Sequence, residues 1–190
     1  MEVIKPHTVT ITKEFAAEEL LNGVHLVIIH ATRIPPHIGI IAGGLYHSLT
    51  IKGQEVNIPA EALIRNTIQR RIPSLFIKIQ QHPDFNAEQL KEQIVSDVRR
   101  FPKVAVNGAT CLSPVKLFFE VAYGVPVNDV MYIFELLPAL EAQGLIEHAS
   151  ALFISSSELQ LPLYTMSELN SGIDHANRDA AAVVQSIKMQ

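Results

Sequence analysis

The sequence has little cysteine and no excess of positive charge, and each shortage excludes a class of protein. The single cysteine, Cys111, cannot form an internal disulfide, which favours a reducing compartment. The 15 basic and 19 acidic residues are mixed along a chain of 190 residues and give a net charge of −4. No basic stripe therefore predicts binding to nucleic acid or to an anionic membrane.

Long hydrophobic runs are also missing. The most apolar run, residues 130–140, contains Glu135 and Pro138 and is too short to span a bilayer. The beginning of the chain has no basic segment followed by an apolar one, so no signal sequence is expected. We therefore expect a cytoplasmic protein without a membrane span.

What the chain does contain is enough apolar sequence for one core. Hydrophobic residues make up 48% of the chain, and its length requires no second domain, so we expect a single domain over residues 1–190. Strands are predicted over residues 8–12, 24–31 and 74–80, of which the second is apolar enough to be buried on both faces. Helices are predicted over residues 13–22, 61–71, 86–101, 111–124, 127–143 and 174–188.

The stretch at residues 35–51 is typical of a β-hairpin. β-Branched and aromatic residues flank Gly43-Gly44, a pair that adopts positive φ at little cost. His37 opens the first strand and His47 lies inside the second. Because a buried imidazole needs a partner, two of them on one apolar hairpin suggest a shared role.

The length of the hairpin loop decides whether the two histidines meet. A three-residue loop brings His47 to the face of His37, because side chains alternate between the two faces of a strand. With a two-residue turn, the face of His37 is shared instead by Tyr46, Ser48 and Thr50. The sequence permits both registers.

Cys111 begins a predicted helix. A turn at residues 107–110 precedes it, and apolar residues at helical spacing follow as far as Gly124. A helix N-terminus and a neighbouring imidazolium both stabilise a thiolate, which is the reactive form of cysteine. Cys111 and His37 are therefore a candidate nucleophile and base for attack on an acyl carbon.

The order of these features resembles the circularly permuted papain-like superfamily of thiol hydrolases. The resemblance rests on Pro36-His37-Ile38-Gly39-Ile40-Ile41, on His47 after a hairpin turn, and on Thr110-Cys111 at a helix start. The superfamily includes NlpC-type cell-wall amidases, lecithin:retinol acyltransferase-like proteins and PPPDE-type peptidases. In all of them the histidine hairpin precedes the cysteine helix.

The resemblance implies an α+β, papain-like, circularly permuted fold in which an antiparallel sheet packs on a cysteine-bearing helix. It implies a cysteine hydrolase that cleaves an amide or ester bond through a thioester, with Cys111 as nucleophile, His37 as base and His47 as third member. Ser48 and Thr50 stay open for the third role. No cofactor is implied, and the expected substrate is a peptide or another acyl compound, such as a lipid ester or a ubiquitin-like tail.

The resemblance covers residues 24–124, the expected catalytic core, and leaves residues 125–190 as a helical and irregular C-terminal extension. Two other functions fit the same sequence: a binding module of this architecture without turnover, and a structural subunit that assembles through the apolar helix near residues 127–140. His25 and His30 lie on opposite faces of their predicted strand and are interpreted as structural. The histidines lack the spacing of a metal site.

Overall fold

The computed structural model describes residues 6–188, with side chains up to residue 182. Residues 1–5, which carry the expectation about a signal sequence, lie outside the described residues. The strands are β1 (Thr8–Thr10), β2 (Val24–Ile29), β3 (His37–Ala42), β4 (Leu45–Thr50), β5 (Gly53–Pro59), β6 (Ser74–Ile79), β7 (Ile146–Leu152) and β8 (Glu158–Gln160). A 3₁₀ helix (Ala17–Leu21) precedes the α-helices α1 (Ala60–Gln69), α2 (Ala87–Arg99), α3 (Leu112–Tyr123), α4 (Ile133–Ala142) and α5 (Met166–Lys188).

Six of these strands form one antiparallel sheet in the order β5-β4-β3-β2-β6-β7, and β1 pairs with β8 in a small second sheet. The predicted α+β class with an antiparallel sheet is therefore confirmed. β2 lies inside the sheet between β3 and β6, and all of its residues are buried. Its nearly continuous apolar sequence follows from this position, since both faces of the strand are covered.

Helices cover both faces of the sheet. On one face, Leu26 and Ile40 belong to the larger core cluster, to which α2, α3, α4 and α5 also contribute. On the other face, Val27 and Phe76 pack with residues of α1 and of the 3₁₀ helix. The cysteine-bearing helix α3 packs on the sheet through Phe118, which is fully buried in the larger cluster.

The β3–β4 hairpin has the two-residue turn. Ala42 pairs with Leu45, and both Gly43 and Gly44 have positive φ values, 56° and 78°, as a type I′ turn requires. In this register Ile40 is opposite His47. The side chains of Ser48 and Thr50 therefore lie on the face of His37, and that of His47 lies on the opposite face.

Two predicted helix boundaries are confirmed by their caps. The Asn86 side chain accepts a hydrogen bond from the Gln89 backbone N–H at 3.0 Å, and the Gln89 side chain accepts one from the Asn86 N–H at the same distance. This capping box begins α2. α3 begins directly after Cys111 and ends at Gly124, whose φ of 66° is the left-handed conformation expected there.

The structure differs from the prediction where short-range signals were weak. The stretch 13–22 contains only a short 3₁₀ helix, and β5, which was not predicted, forms an edge of the sheet. The last helix begins at Met166 rather than near residue 174, because Thr165 and Glu168 cap it. This Thr-x-x-Glu pattern is a sequence signal for a helix start.

The described residues beyond 125 contribute to the same core, although an extension was expected there. β7 pairs with β6 along the edge of the main sheet, and Leu169 and Ile173 of α5 belong to the larger core cluster. The apolar side chains of α4, among them Ile133 and Leu137, are buried in the chain's own core, so this face is already covered. None of the helices among the described residues has the length and hydropathy that crossing a bilayer requires.

His25 is a buried polar residue in the middle of the sheet. Its side chain is 2% exposed, and neither ring nitrogen has a hydrogen-bond partner in the described part of the chain. Burial, with the nearby Lys78 and His148, lowers its pKa from 6.5 to about 3. His25 is therefore neutral at pH 7 and opposes folding through its unpaired nitrogens.

We expect His25→Leu to stabilise the protein at pH 7 and to weaken the dependence of its stability on acid. Leucine removes two unpaired buried polar atoms, whose cost is about 1–3 kcal/mol. Because the folded pKa lies below the unfolded value of 6.5, the unfolded chain binds more protons, and stability is lost as pH falls from 6.5 towards 3. Urea unfolding followed by circular dichroism at pH 7 and pH 5 measures both effects.

The matched control is His175→Leu, on the exposed surface of α5, where the side chain is 75% exposed. It should leave the free energy of unfolding at pH 7 close to that of the wild type, because it removes no buried polar atom and its exposed pair with Asp179 contributes little. A loss of stability at pH 7 in His25→Leu would contradict the assignment of His25 as an unsatisfied core residue.

Candidate active site

A cavity of about 400 Å³ lies where β3 begins and β4 ends. Its walls come from segments far apart in the chain: the β2–β3 connection, the end of β4, one face of α1, the loop before α3, and the first turns of α5. Both Cys111 and His37 line this cavity. The size is within the range of small-molecule sites.

Cys111 is held at the mouth of α3 by the preceding loop. Asn107 adopts a left-handed φ of 53° in the turn, and the Thr110 side chain accepts a hydrogen bond from the Leu112 N–H at 3.2 Å. The Cys111 thiol is half-buried, and its Sγ lies 3.9 Å from the carbonyl oxygen of Pro36, to which it donates. The predicted placement of the sulfur at a helix N-terminus is confirmed.

His37 follows Pro36 directly and is the first residue of β3, opposite Ile29 of β2. The contact between Cys111 and Pro36 therefore brings the start of α3 to the start of the histidine strand. Cys111 and His37 thus line the same cavity, and the sharing of a proton between them stays a prediction. No described residue forms a hydrogen bond with the His37 ring.

His47 does not join them. The two-residue turn directs its side chain to the opposite face of the sheet, where it is completely buried. Its Nδ1 accepts a hydrogen bond from the Asn57 N–H at 3.2 Å, at an irregularity in the pairing of β4 with β5. The geometry therefore gives His47 a role in holding the edge strand and separates it from the cavity.

The two alternatives for the third role lie on the correct face, but both hydroxyls are used elsewhere. The Ser48 hydroxyl donates to the Glu55 carboxylate at 3.1 Å. The Thr50 hydroxyl donates to the Gly53 carbonyl at 3.1 Å and accepts from the Lys52 N–H at 3.2 Å, which closes the β4–β5 turn. Neither hydroxyl orients the His37 ring.

Burial determines the protonation states of the Cys111 thiol and the His37 imidazole. It raises the pKa of the Cys111 thiol to about 11, although backbone N–H groups at Ile38, Cys111 and Leu112 act in the opposite direction. Burial, and then the neighbouring His30, lower the pKa of His37 to about 4. At neutral pH the site therefore holds a thiol and a neutral imidazole, and the helix N-terminus does not produce the resting thiolate that the sequence suggested.

His30 belongs to the site, although its position in a predicted strand suggested a structural role. It directly follows β2, has a left-handed φ of 55°, and lines the cavity. Burial lowers its pKa, and Arg33 and Arg70 lower it further. The antiparallel pairing of β2 with β3 explains its place, because the end of one strand meets the start of the other near His37.

Tyr46, which the sequence placed on the face of His37 for a two-residue turn but to which it gave no role, also belongs to the site. Its side chain is 3% exposed and lines the cavity, and its hydroxyl has no hydrogen-bond partner among the described residues. Burial raises its pKa, although the neighbouring Ser48 hydroxyl acts in the opposite direction, so the phenol keeps its proton. The ring packs on Gly39, where an added Cβ would lie 2.5 Å from the ring, so only glycine leaves it room.

Within the described residues, no group of three histidine, cysteine, aspartate or glutamate side chains is placed to hold a metal ion. Comparison with family models, with curated proteins and with solved structures finds no match to this chain. The chemistry of the site therefore has to be argued from the cavity itself.

We expect iodoacetamide to label Cys111 slowly at pH 7 and progressively faster as the pH rises towards 10. Burial keeps the thiol protonated, and only the thiolate reacts. The rate at pH 7 should be on the order of tenfold to a hundredfold below that of a free thiol. Mass spectrometry of the alkylated protein measures the rate.

The same protein unfolded in urea is the control, because its cysteine is solvated and should react like a free thiol. Native Cys111 that reacts at pH 7 as fast as the unfolded chain would contradict the protonated resting state.

Proposed function

We propose that the protein is a cysteine hydrolase that cleaves an amide or ester bond through a thioester on Cys111, with His37 as the acid–base group. The observation that carries the proposal is the convergence of Cys111 and His37 on one cavity, with the sulfur at the start of α3 and 3.9 Å from the carbonyl oxygen next to His37 in sequence. This arrangement agrees with the resemblance to the permuted papain-like superfamily.

In the proposed reaction, the neutral His37 imidazole accepts the thiol proton as the sulfur attacks the carbonyl carbon. The new C–S bond forms, and the C–N or C–O bond of the substrate breaks. His37 then gives the proton to the departing amine or alcohol. Water attacks the thioester, again with His37 as base, and releases the carboxylic acid and the free thiol.

A neutral starting pair suits this role. The pKa of His37, about 4, leaves its ring unprotonated at neutral pH and able to accept a proton. The pKa of Cys111, about 11, makes deprotonation part of the chemical step. A substrate that displaces water or adds hydrogen bonds near the sulfur changes both values, and catalysis then depends on the bound complex.

Tyr46 supplies a donor for the carbonyl oxygen of the substrate in this proposal. A buried hydroxyl without a partner is costly, and a ligand oxygen in the cavity would satisfy it. The backbone N–H of Cys111, at the start of α3, is the second donor. Two donors aimed at the developing oxyanion are the usual means of lowering this barrier.

A binding module without turnover is the second candidate. It is favoured by the protonated thiol and by the absence, among the described residues, of a group that orients the His37 ring. In this case the same cavity holds an acyl compound but does not cleave it.

We expect the wild-type protein to release p-nitrophenol from p-nitrophenyl butyrate and to carry a butyryl group on Cys111 during turnover. Cys111→Ala should abolish both signals, because the nucleophile is lost. His37→Gln should lower kcat by about 100-fold or more, since the general base is lost. Absorbance and intact-protein mass spectrometry measure release and acylation.

His47→Asn is the matched histidine control, because the asparagine oxygen can replace Nδ1 as acceptor for the Asn57 N–H. It should retain turnover. Binding of the ester without any acylation of Cys111 would instead identify the binding module.

We expect Tyr46→Phe to lower kcat by on the order of 100-fold with little change in KM, because one donor to the oxyanion is removed. Tyr123→Phe is the control, since the Tyr123 hydroxyl is also buried without a described partner but lies beside His82, away from the cavity. It should leave kcat unchanged. Equal kcat values in the two variants would remove Tyr46 from the proposed mechanism.

A further inference from the structure

One face of α1 lines the cavity, and this face is polar towards the C-terminal end of the helix. Leu63, Asn66 and Arg70 line the cavity, and their spacing of three and four residues places them on one side of the helix. Ile64 and Thr67, on the other side, are buried against the sheet. The helix thus places an amide and a guanidinium group beside a cavity that also contains His30.

Two arginines lie near His30 at this edge of the cavity: Arg70 lines it, and Arg33 follows His30 on the β2–β3 connection, while the carboxylate residue in the lining, Glu55, comes from β5. Arg33 and Arg70 both lie close enough to His30 to lower its pKa. Arg33 is held on the same turn by its backbone N–H, which donates to the His30 carbonyl at 2.9 Å. In the part of the chain that the structure describes, neither arginine forms an ion pair with a carboxylate.

An anion is the ligand that such a group recognises. Guanidinium groups bind carboxylates and phosphates through parallel, charge-assisted hydrogen bonds, and Asn66 adds a neutral donor. The protein as a whole has a net charge of −4, so the local positive charge does not reflect a generally basic surface.

The wall formed by α5 has the opposite character. Leu169, Ile173 and Ala176 line it, and Gly172 lets the helix approach closely, since an added Cβ would lie 2.5 Å from Pro35. This wall fits an apolar acyl chain. The cavity is therefore apolar along α5, whereas α1 contributes Asn66 and Arg70, and Glu55 of β5 is also in its lining.

We infer that the substrate is an N-acyl amino acid, or a peptide with the same terminal group, whose carboxylate binds Arg70 and Asn66 while its apolar acyl chain lies along α5. The inference rests on the proposed function, which places His37 at the departing amine. His30 directly follows Ile29, which pairs with His37, and His30, His37 and Arg70 line the same cavity. The anionic group therefore belongs to the departing amine, next to His37, rather than to the acyl chain.

The test compares N-octanoylglycine with its neutral analogue N-octanoylglycinamide, using calorimetry on the Cys111→Ala variant, which cannot turn either over. The carboxylate should bind about tenfold or more tightly than the amide, because it makes charge-assisted bonds to Arg70. Arg70→Gln in the same background should remove this preference and leave the affinity for the amide within about twofold. Arg33→Gln should reduce the preference in the same direction.

Arg65→Gln, on the same helix but away from the cavity, is the matched control and should keep the full preference. Equal affinities for the two ligands, or a preference that survives Arg70→Gln, would overturn the inference. A third ligand, N-octanoyl phosphoethanolamine, tests the source of the negative charge, and tighter binding of this phosphate than of the carboxylate would overturn the amino acid assignment.

Activity of the wild-type protein separates this inference from the proposed function. Cleavage of both octanoyl amides at equal kcat/KM would preserve the hydrolase and reject the carboxylate subsite. A carboxylate preference in binding without any acylation of Cys111 would preserve the subsite and reject the hydrolase.

Discussion

The two-residue turn between β3 and β4 is the constraint on which the site depends. Side chains alternate along a strand, so one residue more or less in the turn would exchange the two faces of β4 relative to β3. With both Gly43 and Gly44 at positive φ, Tyr46 lies on the face of His37, and His47 is committed to the opposite face. Gly39 completes this arrangement by leaving space for the tyrosine ring.

Burial also determines the protonation of the site, and its effect on the Cys111 pKa is larger than that of the helix N-terminus. The start of α3 supplies N–H groups that favour a thiolate, yet the surrounding protein raises the Cys111 pKa to about 11. The same burial keeps His37 neutral. Removing a charged thiolate or imidazolium from water costs more free energy than the nearby N–H groups restore. The proposed chemistry therefore starts from a neutral thiol and a neutral imidazole. The substrate then becomes part of the catalytic environment.

The C-terminal third of the chain contributes to the walls of the cavity. α5 provides its apolar wall, and α1 provides its polar edge. Both helices line the cavity beside residues of the β3–β4 hairpin; only β5 separates α1 from the hairpin in the chain, whereas α5 begins more than 100 residues after it. The proposed substrate has an apolar acyl part because α5 is apolar, and an anionic departing part because α1 contributes Arg70 and Asn66. Both helices are needed for this proposal.

Local sequence was enough to predict the buried strand β2, the capped start of α2 at Asn86, and the position of Cys111 at the mouth of α3, because these features depend on neighbours within a few residues. It also singled out His37 and Cys111, which both line one cavity in the structure. The sequence permitted two hairpin registers, and the structure has the two-residue turn, which separates His47 from the cavity and places Tyr46 on the face of His37. Tertiary structure alone brought His30 and Arg70 into the site. Those outcomes depend on strand pairing and on helices packed across the sheet, and no periodicity along the chain encodes such long-range contacts.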